Sequence, residues 1–122
     1  MHTNPGPWLD REFYTQFEER TTCLEKIYTD SKIPGFTGKV DGKITLNENI
    51  ADNEGVKLAF KVHRKLGKKL GADGRFEEMQ EFNNDQMFFL SYAMFFCNKN
   101  AYNQKYLRRW VSTSIYAPDM LR

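Results

Sequence analysis

The sequence predicts a mainly α fold with little strand. Three observations carry this. Apolar residues recur at three-to-four spacing over 7–29 and again over 45–70, the period of a helix face. A third segment, from about 84 to 98, is apolar nearly all round. Gly and Pro fall between these segments rather than inside them, apart from Gly55 and Gly67.

The first helix runs from about Pro7 to Thr29, with Leu9, Phe13, Phe17, Leu24, Ile27 and Tyr28 on its apolar face. Pro5 and Pro7 punctuate its start. Residues 30–42 read as a loop, because Pro34-Gly35, Gly38 and Asp41-Gly42 are turn formers. A second helix starts near Thr45 and runs to about Leu70, with a stripe of Ala51, Gly55, Leu58, Ala59, Val62, Leu66 and Leu70. Gly71 and the Asp73-Gly74 turn end it. Residues 76–82 have no clear period. Asn84 or Asp85 caps a third helix reaching about Asn98. A helix apolar on every side is expected to be central and buried. Tyr102 to Trp110 makes one more short helix, and 111–122 reads as loop around Pro118. No repeat or linker divides the chain, so residues 1–122 are expected to form a single domain.

At 122 residues, with 40% hydrophobic residues and a mean hydropathy of -0.68, the chain is expected to be soluble. Its longest apolar run, 87–97, is broken by Ser91 and too short to span a bilayer. A formal charge of +2 is too small to argue for nucleic acid. Lys65, Lys68 and Lys69 suit the negative end of a helix dipole. The opening residues, Met1 to Pro7, have no apolar core following them and are not expected to be a signal peptide. Aromatic residues make up 15% and crowd the last third of the chain. That much ring surface suggests packing against something outside this chain.

The chemistry concentrates at Glu48 and Asp52. Four residues apart, they share one helix face. Leu46, Ile50 and Ala51 surround them, so that face is expected to look inward. Two inward carboxylates need a positive partner, and none lies nearby in sequence. Spacing alone is also met by any solvated acidic helix face.

The surrounding residues add more. Gly42-Lys43-Ile44-Thr45-Leu46-Asn47-Glu48-Asn49-Ile50-Ala51-Asp52-Asn53-Glu54-Gly55-Val56-Lys57-Leu58-Ala59 closely resembles the signature Gly-x-x-Thr-Leu-Gly-Glu-Asn-Ile-Ala-Asp-Asn-Gly-Gly-Leu-x-x-Ala. That signature belongs to the neprilysin and endothelin-converting-enzyme family of zinc metalloendopeptidases. The resemblance extends to Trp8–Cys23, to Asp85–Cys97 and to Arg108–Arg122, nearly the whole chain.

The resemblance implies a helical subdomain of a thermolysin-like zinc peptidase (a gluzincin), the C-terminal part of its catalytic domain. It makes Glu48 the third zinc ligand. It makes Asp52 the carboxylate that orients a ligand His and assists catalysis. It makes Arg122 the group that grips a substrate backbone carbonyl. It implies peptide substrates and an extracellular or membrane-anchored setting. Cys23 and Cys97 would then find their disulfide partners outside this chain, and each would here be a free, buried thiol. Asn47 and Glu54 replace family glycines.

Several family parts are missing. No His-Glu-x-x-His occurs, so two ligands and the general-base Glu are absent. His2 lies in an N-terminal tail expected to be floppy. His63 lies fifteen residues beyond Glu48, ~22 Å along a helix, and is expected to be an exposed polar residue. One carboxylate does not hold zinc tightly. Tyr116 stands where the family carries its transition-state His. Asn100-Ala101-Tyr102 echoes the family's substrate-binding Asn-Ala-x-Tyr only by coincidence. Three readings stay open: a portion of a neprilysin-like peptidase, inactive alone and completed by the missing part of the catalytic domain; a catalytically dead relative that binds peptide or protein; and a self-sufficient helical protein.

Overall fold

The computed structural model describes residues 9–71, 74–97 and 103–122. His2, Trp8, Asp73 and 100–102, each given a part above, lie outside these. The described residues form four α-helices and two short 3-10 turns, with no strand among them. The mainly α class holds.

Helix α1, Arg11–Asp30, begins four residues later than the apolar period suggested. Asp10 fixes that start: its carboxylate accepts from the Phe13 N–H at 2.7 Å, satisfying a first-turn donor. Helix α2, Leu46–Leu70, is introduced by a tight turn. There Asp41 Oδ1 accepts from the N–H groups of Lys43 and Ile44, and Thr45 Oγ1 donates to the Asp41 carbonyl. Gly71 ends α2 at φ 91°, a conformation glycine adopts without a Cβ penalty. Helix α3, Asn84–Phe96, opens on a reciprocal capping box between Asn83 and Gln86. Helix α4, Gln104–Thr113, takes Asn103 as its cap and runs three residues past Trp110, into the stretch read as loop. Short 3-10 turns fill 77–79 and 119–121.

Helices α1 and α2 are joined where the loop crosses α1. Gly42 donates its N–H to Thr29 Oγ1, and a Cβ at this position would collide with the Glu25 backbone carbonyl. Tyr28, buried on α1, accepts from Asn53 Nδ2 of α2 at 3.1 Å. The core lies beside this junction. Ile33 and Val40 of the loop pack with Leu107 of α4, and Phe36, Val111 and Leu121 close around them. Small, tightly placed loop residues thus seat the first turns of α2 against the C-terminal segment.

Two expectations fail here. Helix α3 is not central: none of its residues is buried, and Met94 and Phe95 are 68% and 83% exposed. A helix apolar on every side leaves faces uncovered wherever only one side is packed, and this chain packs one. The stripe of α2 is likewise half uncovered, with Leu58, Val62, Leu66 and Leu70 exposed. Cys23 and Cys97 are free as expected but exposed rather than buried. No helix of the described residues is long and apolar enough to cross a membrane.

The close approach at Gly42 yields a test. Gly42→Ala is expected to destabilise the chain by about 1–3 kcal/mol, read as a lower midpoint in urea unfolding. Gly74→Ala, whose Cβ meets nothing within 4 Å, is the control.

Candidate functional site

The first two turns of α2 carry the acidic pair. Glu48 stands in the first turn, where a carboxylate suits the positive end of the helix dipole. It is half-buried. Among the described residues it makes no hydrogen bond or ion pair, neither with the neighbouring Lys43 nor with any arginine. Its neighbour Asn49 is fully buried and donates to Thr45 Oγ1 at 2.9 Å, fixing the backbone from which Glu48 projects.

Asp52, one turn on, does have a cation. Arg122 Nε donates to its Oδ2 at 2.7 Å and Nη2 donates to its Oδ1 at 3.0 Å. The absence of a cation nearby in sequence therefore misled: the partner arrives from seventy residues away. A planar guanidinium matches a carboxylate edge to edge, and such forks are the stronger ion pairs. The two side chains are only 19% and 16% exposed, so solvent screens the pair little. Hydrogen bonding to Asp52 holds the Arg122 pKa above its usual value, despite burial acting the other way.

Aromatic rings complete the site. The Arg122 guanidinium carbon lies 4.8 Å from the Phe96 ring centre and 4.9 Å from that of Tyr116. Tyr92 stands close enough to Asp52 and Arg122 to feel both; burial first, and then the Asp52 charge, push its phenol above the ordinary tyrosine value. Tyr92 and Phe96 were not singled out from the sequence. Their signal was available, since they lie four apart on the helix that resembles a family segment.

The arrangement brings Asp52 and Arg122 into contact and leaves Glu48 unpaired one turn away. Among the described residues it does not bring a histidine to either acid. His63, expected to be exposed, is half-buried, with its ring stacked on Phe60 and its Nε2 3.0 Å from Asp85 Oδ1. Arg64 holds the other Asp85 oxygen. These ties join α2 to the start of α3. Among the described residues no three His, Cys, Asp or Glu side chains cluster closely enough to hold a metal ion. A lone half-buried carboxylate is one ligand where catalytic zinc takes three from protein, so the described residues do not fit a zinc ion by themselves.

Over residues 2–122 the sequence matches the profile described as Peptidase family M13. The chain belongs to peptidase family M13. It is 35% identical over 120 residues to Neprilysin-1 of Caenorhabditis elegans, covering 98% of this chain and 16% of that protein. It is 34% identical over 115 residues to Neprilysin-11 of the same organism, covering 94% of this chain and 13% of that protein. To Endothelin-converting enzyme 1 of Bos taurus it is 36% identical over 95 residues, 78% of this chain and 12% of the other. The M13 chain thus spans about one-sixth, or less, of the length of these curated relatives. Membership removes the reading of a self-sufficient helical protein with no peptidase link.

Two tests follow. Asp52→Asn deletes the charge facing Arg122 and is expected to cost about 2 kcal/mol, measured by denaturant unfolding, with the Tyr92 phenol titrating closer to its ordinary value. Asp85 gives a pH dependence. Burial raises its pKa, but the hydrogen bonds from Arg64 and His63 outweigh this and leave it lowered. Its ties therefore contribute fully above the unfolded carboxylate range, ~3.9, and are lost as pH falls through the lowered folded value. The thermal midpoints of the wild type and of Asp85→Asn are expected to differ at pH 6 and to converge on acidification below pH 4.

Proposed function

We propose that this chain is the part of a neprilysin-like zinc metalloendopeptidase that supplies the third zinc ligand and one wall of the peptide cleft. The single observation that carries this reading is Glu48: a half-buried carboxylate with no partner among the described residues, set in the first turn of α2 within a long family signature. Such a group calls for a cation. With two histidines from a His-Glu-x-x-His helix, its oxygen would complete a three-ligand zinc site with a fourth position open to water. Zinc held there would polarise a peptide carbonyl and activate that water.

The chain's own residues have separate tasks in this reading. Asp52 would orient a ligand histidine, as the family resemblance implies, and it already binds Arg122. Arg122 keeps Nη1 free of hydrogen bonds among the described residues while its other edge is tied down. A guanidinium so held presents a directed donor to a substrate's backbone carbonyl. Peptides are the substrate class, and the remainder of the catalytic domain is the partner. Alone, the chain is inactive, because the general-base Glu and two ligands are not among its residues. An extracellular or membrane-anchored setting is the corresponding cellular address. The single domain expected from the sequence is, in this reading, one subdomain of a larger catalytic unit.

The alternative is a catalytically dead relative that binds peptide or protein. Tyr116, in the position of the family's transition-state His, favours it, since a phenol donates one hydrogen bond and carries no positive charge near neutral pH.

One experiment separates the readings. Residues 2–122 are exchanged for the matching segment of C. elegans Neprilysin-1. The chimera is expected to bind one zinc per chain and to hydrolyse a quenched fluorescent peptide. Glu48→Gln in the chimera is expected to lower zinc affinity at least 10-fold. A chimera that binds zinc but cleaves nothing supports the dead relative. Unchanged zinc affinity in Glu48→Gln overturns the ligand assignment.

A further inference from the structure

Tyr116 lies in a segment held unusually firmly for a loop. The Trp110 indole N–H donates to the Tyr116 carbonyl at 3.0 Å. The Tyr116 N–H donates to Ser114 Oγ at 3.0 Å. The next two residues, Ala117 and Pro118, are buried. The backbone at 116 is therefore fixed from both sides, and its ring is carried to 4.9 Å from the Arg122 guanidinium. Tyr116 as a residue remains 39% exposed, so burial alone does not account for its position.

We propose that Tyr116 is a positioning residue for Arg122. The Asp52 carboxylate sets the guanidinium's edge, and the Tyr116 ring, together with that of Phe96 at a similar distance, sets its plane. An edge contact alone leaves a guanidinium able to swing about the carboxylate; a ring against its face removes that freedom. The two Nη1 N–H donors then point one way. An aromatic ring does this without cost in charge, whereas a protonated histidine at 116 would set a second cation against Arg122. The role for Arg122 itself rests on the reading under Proposed function; the clamp does not.

The test uses the full 122-residue chain and the Nε–H resonance of Arg122, observed by 15N–1H NMR. Wild type is expected to show a resolved Arg122 Nε–H signal with slowed solvent exchange. Tyr116→Phe, which keeps the ring, is expected to retain it. Tyr116→Leu, which keeps apolar bulk and lacks the ring, is expected to exchange about fivefold faster, the factor to which a contact of about 1 kcal/mol converts at 25 °C. Backbone signals of Leu107 and Val111 report whether the fold is intact in each variant. Equal exchange in Tyr116→Leu and wild type overturns the proposal, as does loss of the signal in Tyr116→Phe with the fold intact. A blocked dipeptide amide is then titrated into the wild type. If it leaves Arg122 unmoved while the Phe and Leu variants behave as expected, the clamp stands and the carbonyl-gripping role of Arg122 falls.

Discussion

The ion pair between Asp52 and Arg122 is the constraint on which the site depends. It joins the second turn of α2 to the last residue of the sequence, across seventy intervening positions. Without it the segment after α4 would be attached mainly through buried Ala117 and through Leu121, packed against the core around Leu107. With it, Arg122, Phe96, Tyr116 and Tyr92 converge on one place. The pair is sheltered enough for its two charge-assisted bonds to outweigh the side-chain entropy they cost. It also explains how one carboxylate of the acidic pair faces a cation while the other, among the described residues, has none beside it.

That asymmetry organises the chemistry. Glu48 and Asp52 are the same kind of group one turn apart, yet their surroundings differ. Asp52 is bound edge to edge by Arg122. Glu48, at the positive end of α2 beside buried Asn49, has no partner among the described residues. The relatives are some six times longer or more, and the uncovered apolar surfaces of α2 and α3 fit a chain whose packing is shared with other polypeptide.

Much of this was legible in the sequence. The start of α2 and its end at Gly71 followed from turn chemistry and from the apolar period, both local properties. Glu48 and Asp52 stood out because residues four apart share a face. The family was legible because the motif is long. What was not legible is non-local. Nothing in the spacing of Arg122 ties it to Asp52, because salt-bridge partners seventy residues apart leave no periodic trace. His63 was misjudged for the same reason: its neighbours Val62 and Arg64 say nothing of Asp85 on another helix. The burial of α3 was misjudged because an all-round apolar pattern states what a helix requires and not whether its own chain can supply it.

Helix α3 has a consequence for the life of such a polypeptide in a cell. With Phe95 and Met94 open to water, this stretch offers the kind of greasy, weakly charged ribbon that holdase chaperones grip and that sticks to its own copies as concentration rises. Proteolytic clearance, rather than unfolding, would then set how long the isolated polypeptide survives. A docking body that shields α3 would lengthen that lifetime before any peptide bond is cut.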